Sequence, residues 1–355
     1  MCGKWADTVQ AMAAARTDTP PPLRWDGERL HLLDQTRLPA EEVVLTLTGA
    51  EDAVDAIQRL AVRGAPLIGV AAGYALAMAV AREPTRAELE RAGALIASAR
   101  PTARNLAWAV DRVTEAALAA PDRLADAARE AAEAIQREDE AASAALAHHG
   151  ADALDAVLPP GPVAVMTHCN SGALAASGRG TGLGVIAELA DRRPVTVLSC
   201  EARPLLQGAR LTVWECRRLG LDHELLVDSA AAGLIRRGEV QAVVTGFDRV
   251  AANGDVANKV GTYHLALASG AAGIPFVAAG PSSSIDLRLQ SGDAIEIEER
   301  DPDEVRRAGG ALLTVPGTRC RNPAFDVTPA GLVWALVTEK GVARPADGED
   351  ATAVG

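Results

Sequence analysis

The sequence predicts an α/β protein in which a mainly helical N-terminal domain precedes a Rossmann-like domain with a mostly parallel sheet. Helical periodicity dominates the first half of the chain, short apolar strands alternate with helical stretches in the second, and Pro159-Pro160-Gly161-Pro162 separates the two. Strands separated by helices form parallel βαβ units, and a proline cluster cannot continue a helix. We therefore expect a domain of short strands and a helical bundle over 1–149, a catalytic domain over 150–345 and a disordered tail over 346–355.

The N-terminal domain should open with three short strands. The segments 23–25 and 28–34 flank Asp26-Gly27, and this dipeptide supplies the positive φ angles of a tight hairpin turn. A third strand is expected at 43–48. Apolar residues at helical spacing then predict helices at 51–61, 66–81, 85–98, 104–119 and 122–147.

The segment 66–81 is uncharged throughout and is the strongest candidate for a membrane span. A span needs about 20 apolar residues, and this run is shorter and rich in alanine and glycine. We expect a buried helix instead.

The second domain should contain parallel strands at 163–168, 195–200, 224–228, 240–246 and 274–279. In open sheets of this kind, ligands bind beyond the carboxyl ends of the strands, where the strand order reverses. Residues that follow strands are therefore the candidates for a functional site.

Composition excludes several classes of function. The 355 residues carry 35 Lys plus Arg against 47 Asp plus Glu, a net charge of −12, and only 3% are aromatic, which disfavours nucleic-acid binding. The 5 cysteines are widely spaced without any C-x-x-C, so neither a disulfide framework nor a zinc site is indicated. The N-terminus lacks the apolar run of a signal peptide. We expect a cytoplasmic protein that binds a small molecule and neither nucleic acid nor a membrane.

Cys169 follows the strand at 163–168 and precedes a small-residue turn and a helix start. A helix N-terminus lowers the pKa of a thiol, so Cys169 could be a reactive thiolate or a precisely held hydrogen-bond donor. The alternative is a buried structural cysteine. His168 should point to the opposite face of the strand and act in the core or in support of the site, not as a base.

Asp248 follows the strand at 240–246, between Phe247 and Arg249. Desolvation by the phenyl ring would raise the pKa of this carboxyl group, as a general acid near neutral pH requires. The alternative is that Asp248 pairs with Arg249 or caps the loop.

Other residues are candidates for binding a phosphate group. Arg63 and Arg100 each precede a predicted helix, where a guanidinium fork and exposed amides converge. For either residue alone, a surface arginine that caps a helix is the commoner case. Asn258 and Lys259 are expected to open a helix at 260–269 and to form an anion clamp there.

Two loops contain features that suggest ligand binding. One of them fails to match a known motif, and the other contains a single candidate residue. The glycine-rich loop 178–184 resembles a dinucleotide or phosphate loop, but G-x-G-x-x-G would need glycine where Leu183 stands, and no G-K-[ST] occurs. Gln207, after the strand at 195–200, could hydrogen-bond a sugar hydroxyl or a phosphate.

Eight ordered blocks of the chain, from about Arg63 to Val342, resemble one family. They are RGAPLIGVAAGYALA, RPTARNLAWAVDR, THCNSGALA, EARPLLQGARLT, DRVAANGDVANKVGTY, AGPSSSIDL, IEERDPDEV and NPAFDVTPAGLV. The family is that of the 5-methylthioribose-1-phosphate isomerases, an aldose–ketose isomerase branch. It belongs to a wider group with ribose-1,5-bisphosphate isomerases and the alpha, beta and delta subunits of translation initiation factor 2B.

The resemblance implies that Cys169 and Asp248 are the catalytic pair. It also implies a homodimer without a metal or a nucleotide cofactor. Substrate and phosphate binding are assigned by the resemblance to Arg63, Gly64, Ala65, Arg100, Gln207, Asn258 and Lys259.

The implied reaction, in methionine salvage, converts a cyclic aldose 1-phosphate to an open-chain ketose 1-phosphate. Asp248 in its neutral form would protonate the ring oxygen, and Cys169 would assist hydrogen transfer from C2 to C1, as a hydride or through an enediolate.

Two departures from the family pattern and two alternatives stand beside this expectation. Phe247 replaces the usual alanine before the aspartate, and Gly280 stands where alanine is common. A bulkier wall beside Asp248 could alter the preference for the 5-substituent of the sugar. The alternatives are an isomerase of 5-deoxyribose 1-phosphate or ribose 1,5-bisphosphate, and a non-catalytic regulatory subunit. Retention of both Cys169 and Asp248 argues against the regulatory subunit.

Overall fold

The computed structural model describes residues 21–100, 104–308 and 310–355. They pack as two units. The helical unit contains the described residues up to Ala144 together with Gly172–Gly180, and the sheet unit contains Ala145–Ser171 and Thr181–Gly355.

The helical unit begins with a three-stranded antiparallel sheet, β1–β2–β3, and the predicted Asp26-Gly27 turn joins the first two strands. Five helices follow. The elements are β1 Leu23–Trp25, β2 Leu30–Leu33, β3 Val44–Leu47, α1 Ala50–Gln58, α2 Ala65–Arg82, α3 Arg86–Ala97, α4 Arg104–Ala119 and α5 Leu124–Asp155. The boundary between the two units falls after Ala144, and the predicted domain boundary falls after residue 149. Both positions lie inside helix α5, so the chain passes from one unit to the other within a helix and not in a loop.

Helix α2 forms the centre of the helical unit. It is the one helix among the described residues that is long and apolar enough to cross a membrane, but 78% of its apolar window is buried inside the protein. Alanine and glycine on its surface let α1, α3 and α4 pack closely around it. The prediction of a buried helix is confirmed.

The sheet unit contains a seven-stranded sheet with the strand order β16–β15–β10–β7–β4–β5–β6, parallel except for the edge strand β16. Its strands are β4 Val163–Thr167, β5 Val195–Cys200, β6 Asp222–Leu226, β7 Ala242–Thr245, β10 Phe276–Ala279, β15 Ala335–Thr338 and β16 Gly341–Ala343. The helices between them are α6 Gly182–Ala190, α7 Val213–Arg218, α8 Ala231–Arg236 and α9 Thr262–Ala272. The predicted fold class is confirmed, and all five predicted strands of this domain are present.

A second, four-stranded sheet in this unit has the order β11–β8–β9–β14. Its strands are β8 Arg249–Ala251, β9 Val256–Lys259, β11 Ile285–Asp286 and β14 Phe325–Thr328; a short helix, α10 Asp303–Arg306, and the hairpin β12 Arg307–Ala308 and β13 Ala311–Leu312 lie between the last two. This sheet was not predicted from the sequence. Strands β8 and β9 form a local hairpin, whereas β11 and β14 pair with them from segments farther along the chain.

The C-terminal residues 346–355, expected to be disordered, pack against the sheet unit. Ala351 and Val354 are buried in its hydrophobic core, and the Thr338 hydroxyl donates a hydrogen bond of 2.9 Å to the carbonyl of Val354. Burial of these two small apolar side chains orders the segment, so that expectation was wrong.

Candidate active site

The candidate site lies where the order of the parallel strands reverses. Strand β4 lies between β7 and β5; the chain proceeds from β4 to β5 on one side and from β7 to β10 on the other. Loops that leave two neighbouring strands in opposite directions open a crevice at the carboxyl edge of the sheet. Cys169 follows β4 and Asp248 follows β7, so the fold brings the predicted pair to this edge.

The backbone of Cys169 is held in an unusual conformation. Its φ angle is 62°, a value that costs free energy for a residue with a side chain. The Thr212 hydroxyl donates a hydrogen bond of 2.6 Å to the Cys169 carbonyl, and the Asn170 amide donates to both Thr212 and Glu215. This buried chain of polar groups fixes the loop that carries the thiol, while the Cys169 residue itself is only half-buried.

Thr212 and Glu215 are functional residues that were not predicted from the sequence. Thr212 lies in one of the blocks that carry the family resemblance, but its contact with Cys169 exists only because the segment after β5 folds back over the end of β4. Local sequence patterns contain no signal for this contact.

His168 is a core residue, as predicted. It is 1% exposed, and its Nε2–H donates a hydrogen bond of 2.8 Å to the carbonyl of Val260. Burial lowers its pKa to about 4, so the imidazole is neutral at physiological pH.

Asp248 is half-buried at the entry to the β8–β9 hairpin, where its backbone N–H donates a hydrogen bond of 3.0 Å to the carbonyl of Ala257. The neighbouring Arg249 forms an ion pair of 2.7 Å with Asp286, which is 1% exposed. The alternative interpretation made Arg249 the partner of Asp248. In the structure the Arg249 guanidinium instead pairs with the buried carboxylate of Asp286.

Asn258 and Lys259 were predicted to lie at a helix N-terminus. In the structure they lie instead on strand β9, so that prediction was wrong. Lys259 pairs across the sheet with Phe325, and helix α9 begins only at Thr262. The Lys259 ammonium, 8% exposed, donates a hydrogen bond of 2.8 Å to the carbonyl of Ala324. The two side chains therefore project from a strand that is paired on both sides, next to the Asp248 loop.

Helix α9, which follows Lys259, is capped by a residue far away in the sequence. The Asp326 carboxylate accepts hydrogen bonds from the backbone N–H groups of Gly261, at 2.6 Å, and Tyr263, at 3.1 Å. Burial raises the pKa of Asp326 above its usual range. This cap fixes the turn between β9 and α9.

Gln207 lies at the start of a turn, Gly208–Thr212, that leads into α7. Gln207 is 6% exposed, and within the described part of the chain its side-chain oxygen has no hydrogen-bond partner. A buried acceptor without a donor is costly, so it marks a position where a ligand hydroxyl would be favourable. Gly208 allows this close packing, because a Cβ there would lie 1.7 Å from the carbonyl oxygen of Cys200.

The segment Arg63-Gly64-Ala65 belongs to the helical unit and leads into α2. The Arg63 guanidinium donates a hydrogen bond of 3.0 Å to the Gln35 side chain, which in turn donates one of 2.7 Å to the carbonyl of Leu174. Gly64 has a φ angle of 94°, and a Cβ there would lie 2.4 Å from the carbonyl oxygen of Ala175. Only glycine fits this contact with the segment that follows the Cys169 loop.

Arg100 is half-buried and follows helix α3. The next three residues lie outside the described part of the chain, and α4 is first seen at Arg104. The placement of Arg100 just before a helix therefore stays a prediction.

The fold and the strand-end site define the class of protein: an α/β protein of the Rossmann-like type with a thiol and a carboxylate at its switch point. The Initiation factor 2 subunit family matches residues 61–345, and the chain belongs to this family.

Within this family the chain is similar to sugar-phosphate isomerases. The methylthioribose-1-phosphate isomerase of Anaeromyxobacter sp. (strain Fw109-5) is 49% identical over 331 residues, covering 92% of this chain and 96% of that protein. The 5-deoxyribose 1-phosphate isomerase of Moorella thermoacetica is 48% identical over 336 residues, covering 91% and 94%. The crystal structure of 5-methylthioribose 1-phosphate isomerase from Pyrococcus horikoshii OT3 matches with a TM-score of 0.85 and 38% identity, covering 94% of this chain and 95% of that one.

Proposed function

We propose that this chain is an isomerase that converts 5-methylthioribose 1-phosphate to 5-methylthioribulose 1-phosphate in methionine salvage. One observation carries the proposal: in a chain 49% identical to a methylthioribose-1-phosphate isomerase, Cys169 and Asp248 follow neighbouring strands at the switch point of the sheet. The switch point is where ligands bind in this architecture.

Ring opening is the first chemical problem, because the phosphorylated anomeric oxygen leaves no aldehyde to enolise. Asp248 in its neutral form donates its proton to the ring oxygen as the bond between that oxygen and C1 breaks. This role predicts that turnover falls as the pH rises through the pKa of Asp248 and that the Asp248→Asn variant lacks this dependence.

Hydrogen transfer from C2 to C1 completes the reaction. The C2 hydroxyl passes its proton to the Asp248 carboxylate as C2 becomes a carbonyl, and the hydrogen on C2 moves to C1. Asp248 is thereby reprotonated, and the product has the same composition as the substrate. Cys169 assists this transfer from a loop held by Thr212. A hydride shift and an enediolate route both satisfy this balance, and deuterium at C2 distinguishes them: a hydride shift retains it in the product, whereas an enediolate exchanges it with water.

Substrate binding is assigned to two groups of residues. In the sheet unit, Gln207 supplies an acceptor for a sugar hydroxyl, and Asn258 and Lys259 supply an amide and a cation. In the helical unit, Arg63 with the backbone of Gly64 and Ala65, and Arg100, supply guanidinium groups and amides suited to phosphate oxygens.

The direct test is to incubate the pure protein, without an added cofactor, with each of three sugar phosphates and to follow the ketose product by NMR. The substrates are 5-methylthioribose 1-phosphate, 5-deoxyribose 1-phosphate and ribose 1,5-bisphosphate. We expect the first to be turned over with the highest kcat/KM. No turnover of any of the three would refute the isomerase proposal and favour a regulatory, sugar-phosphate-binding subunit.

The second candidate substrate is 5-deoxyribose 1-phosphate, favoured by the 48% identity to an isomerase of that name. The same assay decides between the two, because both sugar phosphates lack a second phosphate and differ only in the substituent at C5. A higher kcat/KM for 5-deoxyribose 1-phosphate would reassign the physiological substrate without changing the reaction.

We also propose a cytoplasmic homodimer. Among the described residues, strand β6 is an open edge of the large sheet. Leu225 on it and Val227 just after it are 51% and 54% exposed, more than a solvent-facing edge favours. The four cysteines within the described ranges are thiols, as a reducing compartment allows. Light scattering on a size-exclusion column should give twice the chain mass, and a monomer mass at micromolar concentration would contradict the dimer.

A further inference from the structure

We propose that His168, Cys200 and Asp228 form a binding site for Zn²⁺ at the carboxyl edge of the large sheet. A ring nitrogen of the imidazole, the thiol sulfur and a carboxylate oxygen all lie within 4.8 Å of one another, and Nδ1 of His168 is 3.8 Å from the Asp228 carboxylate. Nitrogen, thiolate and carboxylate ligands are those that zinc takes in proteins. The three residues are far apart in the sequence, so no motif spacing indicated the site.

The sheet itself brings the three residues together. Strands β4, β5 and β6 are consecutive neighbours, with Thr167 paired to Ser199 and Cys200 paired to Leu226. His168 follows β4 directly, Cys200 is the last residue of β5, and Asp228 comes just after β6. Rigid neighbouring strands place the ligands more reproducibly than surface loops would.

His168 is prepared to act as a metal ligand. Its Nε2–H is committed to the carbonyl of Val260, which leaves Nδ1 as a bare acceptor. Among the described residues Nδ1 has no hydrogen-bond partner, although the residue is 1% exposed. A buried, unpartnered acceptor needs an explanation, and donation of the other ring nitrogen to a backbone carbonyl is the usual arrangement around metal-bound histidine.

Asp228 is oriented by the backbone. Its two carboxylate oxygens accept hydrogen bonds of 2.8 Å from the N–H groups of Ala202 and Arg203, and one of them lies 3.8 Å from Nδ1 of His168. A carboxylate has about four lone-pair positions, so these two bonds leave capacity for a metal. Its side chain is 23% exposed, which gives an ion a route to the site from solvent.

Cys200 supplies the third ligand as a thiolate. Cys200 is fully buried at the end of β5, with its thiol in the cluster. Coordination deprotonates a thiol outright, and one proton per ion passes to solvent. The charged and titratable groups that act on the cluster are Glu201 beside Cys200, and His264 and Lys259 beside His168. Zn²⁺ with a thiolate and a carboxylate carries no net charge, which suits a buried site.

The test is a titration of the metal-free full-length protein with Co²⁺, which reports thiolate coordination by a charge-transfer absorption, followed by displacement with Zn²⁺. We expect one ion per chain, one proton released per ion, and a higher Tm in the presence of Zn²⁺. In Cys200→Ser the charge-transfer absorption should vanish and the affinity for the metal should fall by more than about 100-fold. Loss of a residue that only hydrogen-bonds to a metal ligand already lowers metal affinity by about 10–100-fold, and loss of a ligand should cost more.

Two control variants keep the experiment decisive. Cys216 is another buried cysteine of the same unit and is not part of the cluster, so Cys216→Ser should bind Co²⁺ like the unaltered protein. Cys169→Ser should also keep the charge-transfer absorption. If Cys200→Ser does not fold, Asp228→Asn, on the exposed side of the cluster, should weaken binding in its place.

The proposal is wrong if no ion binds stoichiometrically, if Cys200→Ser or its substitute Asp228→Asn binds as tightly as the unaltered protein, or if Cys169→Ser alone removes the charge-transfer absorption. None of these readouts depends on turnover of a sugar phosphate, so the outcome is separate from that of the proposed isomerase function.

Discussion

The ring of Phe247 occupies the space that a side chain at position 280 would need: a Cβ on Gly280 would lie 2.8 Å from the ring atoms Cε2 and Cζ. Both positions were expected from the resemblance to depart from the family pattern. The structure shows that they form one compensated pair, in which the absence of a side chain at position 280 makes room for the ring of Phe247. Phe247 is 5% exposed and belongs to a hydrophobic core cluster with Val250.

Gly280→Ala should therefore destabilise the protein by about 1–3 kcal/mol, the usual cost of overpacking. Phe247→Ala alone should cost about 3–5 kcal/mol, the usual cost of emptying an aromatic site. The double variant should cost less than the sum of the two, because the new methyl group fills part of the space that the ring leaves. Urea unfolding measures all three.

A matched control for this pair is Gly233→Ala in helix α8, where a Cβ would meet only the flexible end of Arg237, at 3.6 Å. This change should leave stability equal or higher. If the loss of stability in the double variant equals the sum of the losses in Gly280→Ala and Phe247→Ala, the two positions are not coupled and the compensated pair is contradicted.

Arg100→Ala should weaken substrate binding by about tenfold or more, because a charge-assisted hydrogen bond is worth roughly 1.5–3 kcal/mol. Thermal stability should be nearly unchanged. Arg86→Ala, which removes an exposed guanidinium paired with Glu90, is the control and should leave KM as it is. Equal KM values for Arg100→Ala and the unaltered protein would remove Arg100 from the site.

Dialysis against a chelator and treatment with charcoal should leave turnover untouched, because the reaction balances without a redox cofactor or a metal. Chelation should remove only the stabilisation by zinc inferred above, measured as a decrease in Tm. Loss of turnover that a divalent metal or NAD restores would contradict the mechanism.

The protonation of Asp326 should contribute measurably to the pH dependence of the free energy of unfolding. Its pKa is raised in the folded state, chiefly by burial. The folded protein therefore holds this proton more tightly than the unfolded chain does, and the free energy of unfolding should decrease as the pH rises through the window just above the usual aspartate range. Asp326→Asn should lack this contribution. The test is urea unfolding from about pH 3.5 to 6, which spans and exceeds the usual aspartate pKa of about 3.9. Equal slopes of the free energy of unfolding against pH for the two proteins would contradict this prediction.

The strand ends that carry Cys169 and Asp248 could be predicted because they depend on local patterns. Apolar runs separated by helical stretches identified β4 and β7, and the general rule for parallel sheets pointed to their carboxyl ends. The predicted strand at 195–200 has the observed bounds, and the helix predicted at 104–119 ends at Ala119 as observed.

The features that could not be predicted depend on distant pairing. Lys259 lies on a strand because it pairs with Phe325, and Val354 is ordered because a core far along the chain covers it. The order of strands in the large sheet decides that His168 meets Cys200. Local periodicity carries no information on any of these contacts.

The central claim is that Cys169 and Asp248 act in the chemical step. Cys169→Ser and Asp248→Asn are close to isosteric, so the fold and the grip on the phosphate should survive. The controls are Cys320→Ser and Asp293→Asn, which alter a half-buried thiol and an exposed carboxylate elsewhere in the same unit.

The most direct measurement is the comparison of kcat with substrate affinity in Asp248→Asn. Turnover should fall by at least ~10²-fold, the scale of a lost general acid, while the Kd for substrate changes far less. Turnover equal to that of Asp293→Asn, or a parallel loss of binding, folding and activity, would show instead that Asp248 is a structural carboxylate.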